Sequence, residues 1–219
     1  MKHALALWLL AAALLLITDA ANAERRKGNF DVTLGAASLF SEKVGGAEGS
    51  SLDIDSNTGI QAGIDYYLTN RLSVGFDMSW LNPRYTATLV PEDGSPDVTV
   101  SHRSTIFNGQ FSAAYDLMDG PFTPFAEAGI GWTYFDSNVL DSDPIVGCWW
   151  DPFWGYICDA FYSTYSDTNF SYHATLGFRW DFSMEMFAKA SYRWLEVDLG
   201  SGAAKPMMEQ ALLEIGWRF

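Results

Sequence analysis

Positive charge is scarce in this chain: 13 Lys and Arg stand against 27 Asp and Glu, for a formal net charge of -14. So acidic a surface repels a phosphate backbone, which excludes nucleic acid as a partner. Long apolar runs are also missing after Ile17, and each membrane-spanning helix needs about 20 apolar residues, so a helical bundle in the membrane is excluded. No phosphate loop, nucleophile motif or metal-ligand spacing occurs, so the expectation is a protein that is not an enzyme and uses no cofactor or metal. Cysteine is confined to Cys148 and Cys158.

The one apolar run lies at the start. Lys2 and His3 precede Ala4 to Ile17, and Ala21-Asn22-Ala23 places small residues where a signal peptidase needs them. Residues 1–23 are therefore expected to be a signal peptide, with 24–219 as one mature domain. Export also sets the redox state: in an oxidising compartment the two cysteines are expected to pair.

Aromatics reach 16% of the sequence while the mean hydropathy is -0.01, so apolar residues must be interleaved with polar ones. The run from Phe170 to Phe182 is the clearest case. Phe170, Tyr172, Ala174, Leu176, Phe178, Trp180 and Phe182 alternate with Ser171, His173, Thr175, Gly177, Arg179 and Asp181. Period two is a strand signal that a helix cannot produce. It recurs near Phe30, Ile60, Leu72, Phe107, Ala126, Met186 and Leu213, giving eight strands. Links at Thr69-Asn70-Arg71, Met118 to Pro121 and Ser183 to Glu185 are short, whereas 41–56, 91–96, 136–167 and 198–206 are longer. Short periplasmic turns with four longer extracellular loops are the outer-membrane arrangement, so the chain reads as all-β, an eight-stranded antiparallel transmembrane up-and-down barrel.

Size decides which face points inward, because an eight-stranded barrel is only wide enough for its own side chains. The bulky apolar face is therefore expected against lipid, with Gly, Ser and Thr inside. The inner face also carries Asp65, Asp77, Asp116, Glu127, Asp181 and Glu214 against Arg179, Lys189, Arg193 and Arg218. Buried charges must pair, so a bonded plug is expected ahead of a gated pore. His173 projects inward with no acidic partner that the sequence defines, and His102 reads as a solvated rim residue.

The third long loop holds Cys148-Trp149-Trp150-Asp151-Pro152-Phe153-Trp154-Gly155-Tyr156-Ile157-Cys158. Its aromatics Trp149, Trp150, Phe153, Trp154 and Tyr156 suit two roles: capping the barrel mouth or headgroup layer, or capturing an extracellular ligand. Acidic residues gather in the outer regions, among them Glu42, Asp53, Asp97, Asp141, Asp151 and Asp167, with few cations beside them. Their plain role is solubility; a sharper one is sharing divalent cations with the phosphates of lipopolysaccharide.

These features resemble the small outer-membrane barrels of the OmpA/OmpX type, OmpW-like proteins included. The resemblance rests on the ending Leu213-Glu214-Ile215-Gly216-Trp217-Arg218-Phe219 and on Pro124-Phe125-Ala126-Glu127-Ala128-Gly129-Ile130-Gly131. It implies that Trp217 and Phe219 belong to a signal read by the barrel-assembly machinery. It also implies a charged lumen cluster of Glu127, Glu214, Lys189 and Arg193, and outer-membrane lipid as the surroundings. The OmpA pattern is incomplete, since no periplasmic peptidoglycan-binding domain follows the barrel in this sequence. The OmpW-like branch implies a path for small hydrophobic molecules instead. The leading expectation is a structural or surface-interaction barrel, then a narrow channel, then a lipid-modifying enzyme.

Overall fold

The computed structural model describes residues 26–45, 49–90, 96–141, 145–153, 155–161, 163–198 and 206–219; the expected signal peptide lies outside them. Fourteen strands follow in chain order: β1 (Phe30–Leu39), β2 (Glu42–Gly45), β3 (Ser51–Ile54), β4 (Asn57–Tyr67), β5 (Leu72–Leu81), β6 (Arg84–Leu89), β7 (Val98–Arg103), β8 (Thr105–Asp116), β9 (Phe122–Leu140), β10 (Ile145–Asp151), β11 (Gly155–Phe161), β12 (Thr164–Asp181), β13 (Met186–Asp198) and β14 (Met207–Arg218). Eight of them close the barrel in the order β1-β14-β13-β12-β9-β8-β5-β4. Closure is made by β1, which pairs antiparallel with β14 on one side and β4 on the other. No strand edge then faces lipid, where an unpaired backbone group would cost several kcal/mol.

The alternation sorts side chains as expected. Ile60, Phe111, Ile130, Leu176, Leu213 and Ile215 are exposed on the outer wall, while Ser73, Ser79, Ser112, Thr133 and Thr175 are buried inside. Glycine admits the tight interior at Gly129, where an added Cβ would strike the His173 ring and the backbone of Phe111.

Three features depart from the sequence expectation. The first two long loops are folded: β2, β3, β6 and β7 form a four-stranded sheet of their own. The upper lumen, expected to be polar, is apolar. Ala37, Leu39, Leu81, Ile106, Leu195, Val197, Met208 and Leu212 form a buried cluster with Ile54 of β3 and Tyr85 of β6. The physical reason is that the outer sheet covers these positions, so they need no polar face toward water; the Tyr85 hydroxyl reaches the Ser137 carbonyl at 3.1 Å.

The third loop is also shorter than its sequence suggests. β9 has 19 residues and β12 has 18, and they remain paired out to Leu140 and Thr164. Crossing a membrane takes about 9–11 residues, so both overshoot the bilayer. Beyond them β10 and β11 make a separate hairpin.

Candidate functional site

The lumen is filled in layers from the end with the short turns upward. The lowest layer is a balanced cluster of three arginines and three aspartates. Arg179 bonds Asp31 at 2.7 Å and Asp181 at 2.8 Å, and Arg218 reaches the same two at 3.3 and 3.1 Å. Arg26, from the segment before β1, is 1% exposed and bonds Asp116 and Asp181, each at 2.6 Å. Tyr67 donates its hydroxyl to Asp116 at 3.0 Å, and the Arg179 guanidinium lies 3.5 Å from the Phe187 ring centroid. Such close pairing offsets the large cost of removing ions from water. On the same side, Arg71 pairs with Asp119 between two short turns and holds the Asp119 carboxyl below its ordinary range.

The sequence flagged Asp116, Arg179, Asp181 and Arg218 in this layer but neither Asp31 nor Arg26. Asp31 was legible, because it lies between outward Phe30 and Val32 and must point inward. Arg26 carried no signal, since it stands outside the periodic run.

The middle layer holds Asp65, Asp77, Glu127 and Glu214 against Lys189 and Arg193, around a cavity of about 10 Å³, room for one water-sized sphere. Lys189 bonds Asp65 at 3.0 Å, and Arg193 bridges Asp77 at 2.7 Å and Glu127 at 3.1 Å. Gln61 donates to Glu214 at 3.3 Å. The Glu127, Glu214, Lys189 and Arg193 group implied by the family resemblance is thus assembled, with Asp65 and Asp77 joining it.

His173 corrects the sequence reading, for it has an acidic neighbour: Nε2 lies 3.1 Å from Glu127 Oε1. Its Nδ1 lies 3.4 Å from Gln110 Oε1. Period-two parity put both on inner faces, yet only the pairing of β9 with β12, in register at Gly129 and His173, brings them together. The nearby Ser171 hydroxyl meets Gln110 and Thr133, so His173 has no hydroxyl nucleophile bonded to it among the described residues. Ligand atoms of Asp77, Glu127 and His173 lie within 4.8 Å of one another, a spacing that would suit a metal. The Arg193 guanidinium already bridges the two carboxylates, and it supplies the cation there.

Above this layer Asn108, Ser79, Thr133, Ser171 and Gln110 are linked by hydrogen bonds, and the apolar cluster under the outer sheet follows. A groove of about 950 Å³ lies elsewhere, on the outer wall among Ile64, Phe76, Phe111, Ile130 and Tyr172. These residues belong to the outward, apolar face of the strands.

On the outer side, Cys148 and Cys158 are directly opposed in the β10–β11 register and joined by a disulfide, with Cα atoms 4.0 Å apart. Trp150, Phe153 and Tyr156 are 68%, 88% and 72% exposed. Trp149 faces Ile157 in the register, and Trp154 lies outside the described residues. His102 is exposed on β7 as expected. At the chain end, Phe219 exchanges backbone bonds with Phe30, and both Trp217 and Phe219 are exposed on the outer wall near the membrane edge.

A family model for the outer membrane protein beta-barrel domain matches residues 9–219. The chain belongs to that family, and its place is the cell outer membrane. Among curated proteins none matches it in sequence. Among solved structures, OprG of Pseudomonas aeruginosa is similar at 12% identity and a TM-score of 0.59, over 90% of this chain and 98% of that one. Ail of Yersinia pestis matches at 11% identity and 0.51, over 88% and 99%. AlkL, determined in lipid bilayers, matches at 13% and 0.51, over 89% and 91%. Such low identities speak to the fold alone.

Proposed function

We propose that this protein is a non-conducting, non-enzymatic barrel whose role is to hold a disulfide-closed aromatic hairpin at the cell surface for interaction with an extracellular partner. The observation that carries the reading is the filled lumen. Two ionic layers, a hydrogen-bonded layer and an apolar cluster succeed one another along it. A solute path through so slim a barrel would need these to part together, at a cost of several kcal/mol for each unpaired buried ion.

Strand length supports the display half. β12 runs six residues from Phe170, paired with Trp132, to Thr164, paired with Leu140, so at ~3.3 Å per residue the root at Leu140 stands about 20 Å further along the strand. At a tilt near 45° that is about 14 Å above Trp132, past the headgroup belt where Trp and Tyr otherwise settle.

Labelling intact cells with an impermeant maleimide tests this display. No label is expected before reduction and clear label on Cys148 and Cys158 after it. Absence of label after reduction would contradict an accessible outer hairpin.

A further inference from the structure

We infer that the β10–β11 hairpin and its root form a docking surface for a cationic polypeptide segment rich in Arg or Lys. This rests on the display reading above and adds the chemistry of the partner. Trp150, Phe153 and Tyr156 on the hairpin and Tyr165 at its root are exposed rings. Around them the charge has one sign. No Lys or Arg occurs between Arg103 and Arg179, whereas Asp141, Asp143, Asp151, Asp159 and Asp167 all fall in the sequence between positions 141 and 167.

Among the described residues no salt bridge reaches the exposed carboxylates of Asp141 or Asp167. Asp141 meets the Ser163 hydroxyl, while Asp167 accepts from the Thr168 amide and the Asn169 side chain. These are neutral donors, so the negative charge is left uncompensated.

Ring faces are negative and attract ammonium or guanidinium groups. The carboxylates of Asp141 and Asp167 at the root attract the same groups toward the hairpin. A polyanion would meet repulsion from every aspartate. A neutral apolar partner would gain from the rings but would have to desolvate those carboxylates without pairing them. The bilayer is set aside as the cover by the height of the root.

The test uses the whole barrel in nanodiscs of zwitterionic phospholipid, with folding checked by heat-dependent gel mobility. Binding of a fluorescent nona-arginine peptide is followed by anisotropy from about 20 to 200 mM salt, a range over which exposed charge attraction is increasingly screened. The expected result is saturable binding that weakens with salt. The triple variant Trp150→Ala/Phe153→Ala/Tyr156→Ala should bind about 10- to 100-fold more weakly, from about two- to fivefold per ring. Asp141→Asn/Asp167→Asn should flatten the salt dependence, whereas Asp55→Asn/Asp97→Asn, which removes equal charge from exposed positions of the first two long loops, should not.

Equal affinity of the wild type and the triple ring variant would overturn the inference, since diffuse attraction to an acidic protein would then suffice. So would absence of binding, or preference for a nona-glutamate peptide. The nanodisc experiment does not depend on surface display in the cell, so its failure is distinct from failure of the maleimide labelling.

Discussion

Arg26 lies before the first strand and closes the mouth at the short-turn end by joining Asp116 to Asp181, with a further bond to the Gly120 carbonyl. Asp181 keeps Arg179 and Arg218 when Arg26 is lost, but among the described residues Asp116 keeps only the Tyr67 hydroxyl as a side-chain partner. Arg26→Ala should therefore destabilise the barrel by about 3 kcal/mol, the scale for breaking one member of a buried pair. Urea titration of the lipid-refolded protein measures it, and an unchanged midpoint would mean the pair contributes nothing. On the outer wall, Leu176→Arg or Ile130→Arg should cost about 2–4 kcal/mol at the bilayer centre. Arg at Gly177 should fail for a different reason, because even a Cβ there would collide with Ser191 and the Phe125 ring. Residue parity was legible from period two, and it placed every flagged charge in the lumen correctly. What parity could not supply was partnership: Glu127 meets His173, and Asp77 meets Arg193, only through the strand register.

Elements divide into those that the membrane shapes and those that it does not. The barrel strands were readable because lipid on one side and a narrow lumen on the other enforce strict alternation. β2, β3, β6 and β7 lie where water bathes one face and neighbouring loops cover another, so their pattern merged with that of ordinary loops. The apolar cluster followed from the same blind spot, since Leu195 and Leu212 are inward by parity yet apolar by composition. The hairpin is a third case: two strands alone are marginal in water, and the Cys148–Cys158 bond supplies what packing does not. By the chain-entropy model a ring of this size stabilises by about 2–3 kcal/mol. Reduction should raise protease cleavage within 141–163 while the barrel strands remain intact on a gel. Cleavage that is equally fast before reduction would remove the bond's role. Deleting Phe219 removes the backbone exchange with Phe30 at the closing seam and the residue that the family likeness assigns to assembly. The yield of inserted barrel should fall, and normal insertion would contradict that assignment.

At the scale of the whole molecule the interior changes character along its axis, from paired arginines and aspartates, through a mixed cluster with four carboxylates and two cations, to a dry apolar cap. Each layer alone would obstruct a water column, and on the proposal made above the barrel would serve as a mount for the distal hairpin. Planar-bilayer recording of the purified protein at about 1 M KCl tests this most directly. At that ionic strength exposed charges are screened within about 3 Å, so on this account the buried pairs alone would hold the lumen shut. The account expects a baseline without discrete steps. Reproducible unit conductances that survive reduction of the disulfide and scale with salt would contradict it.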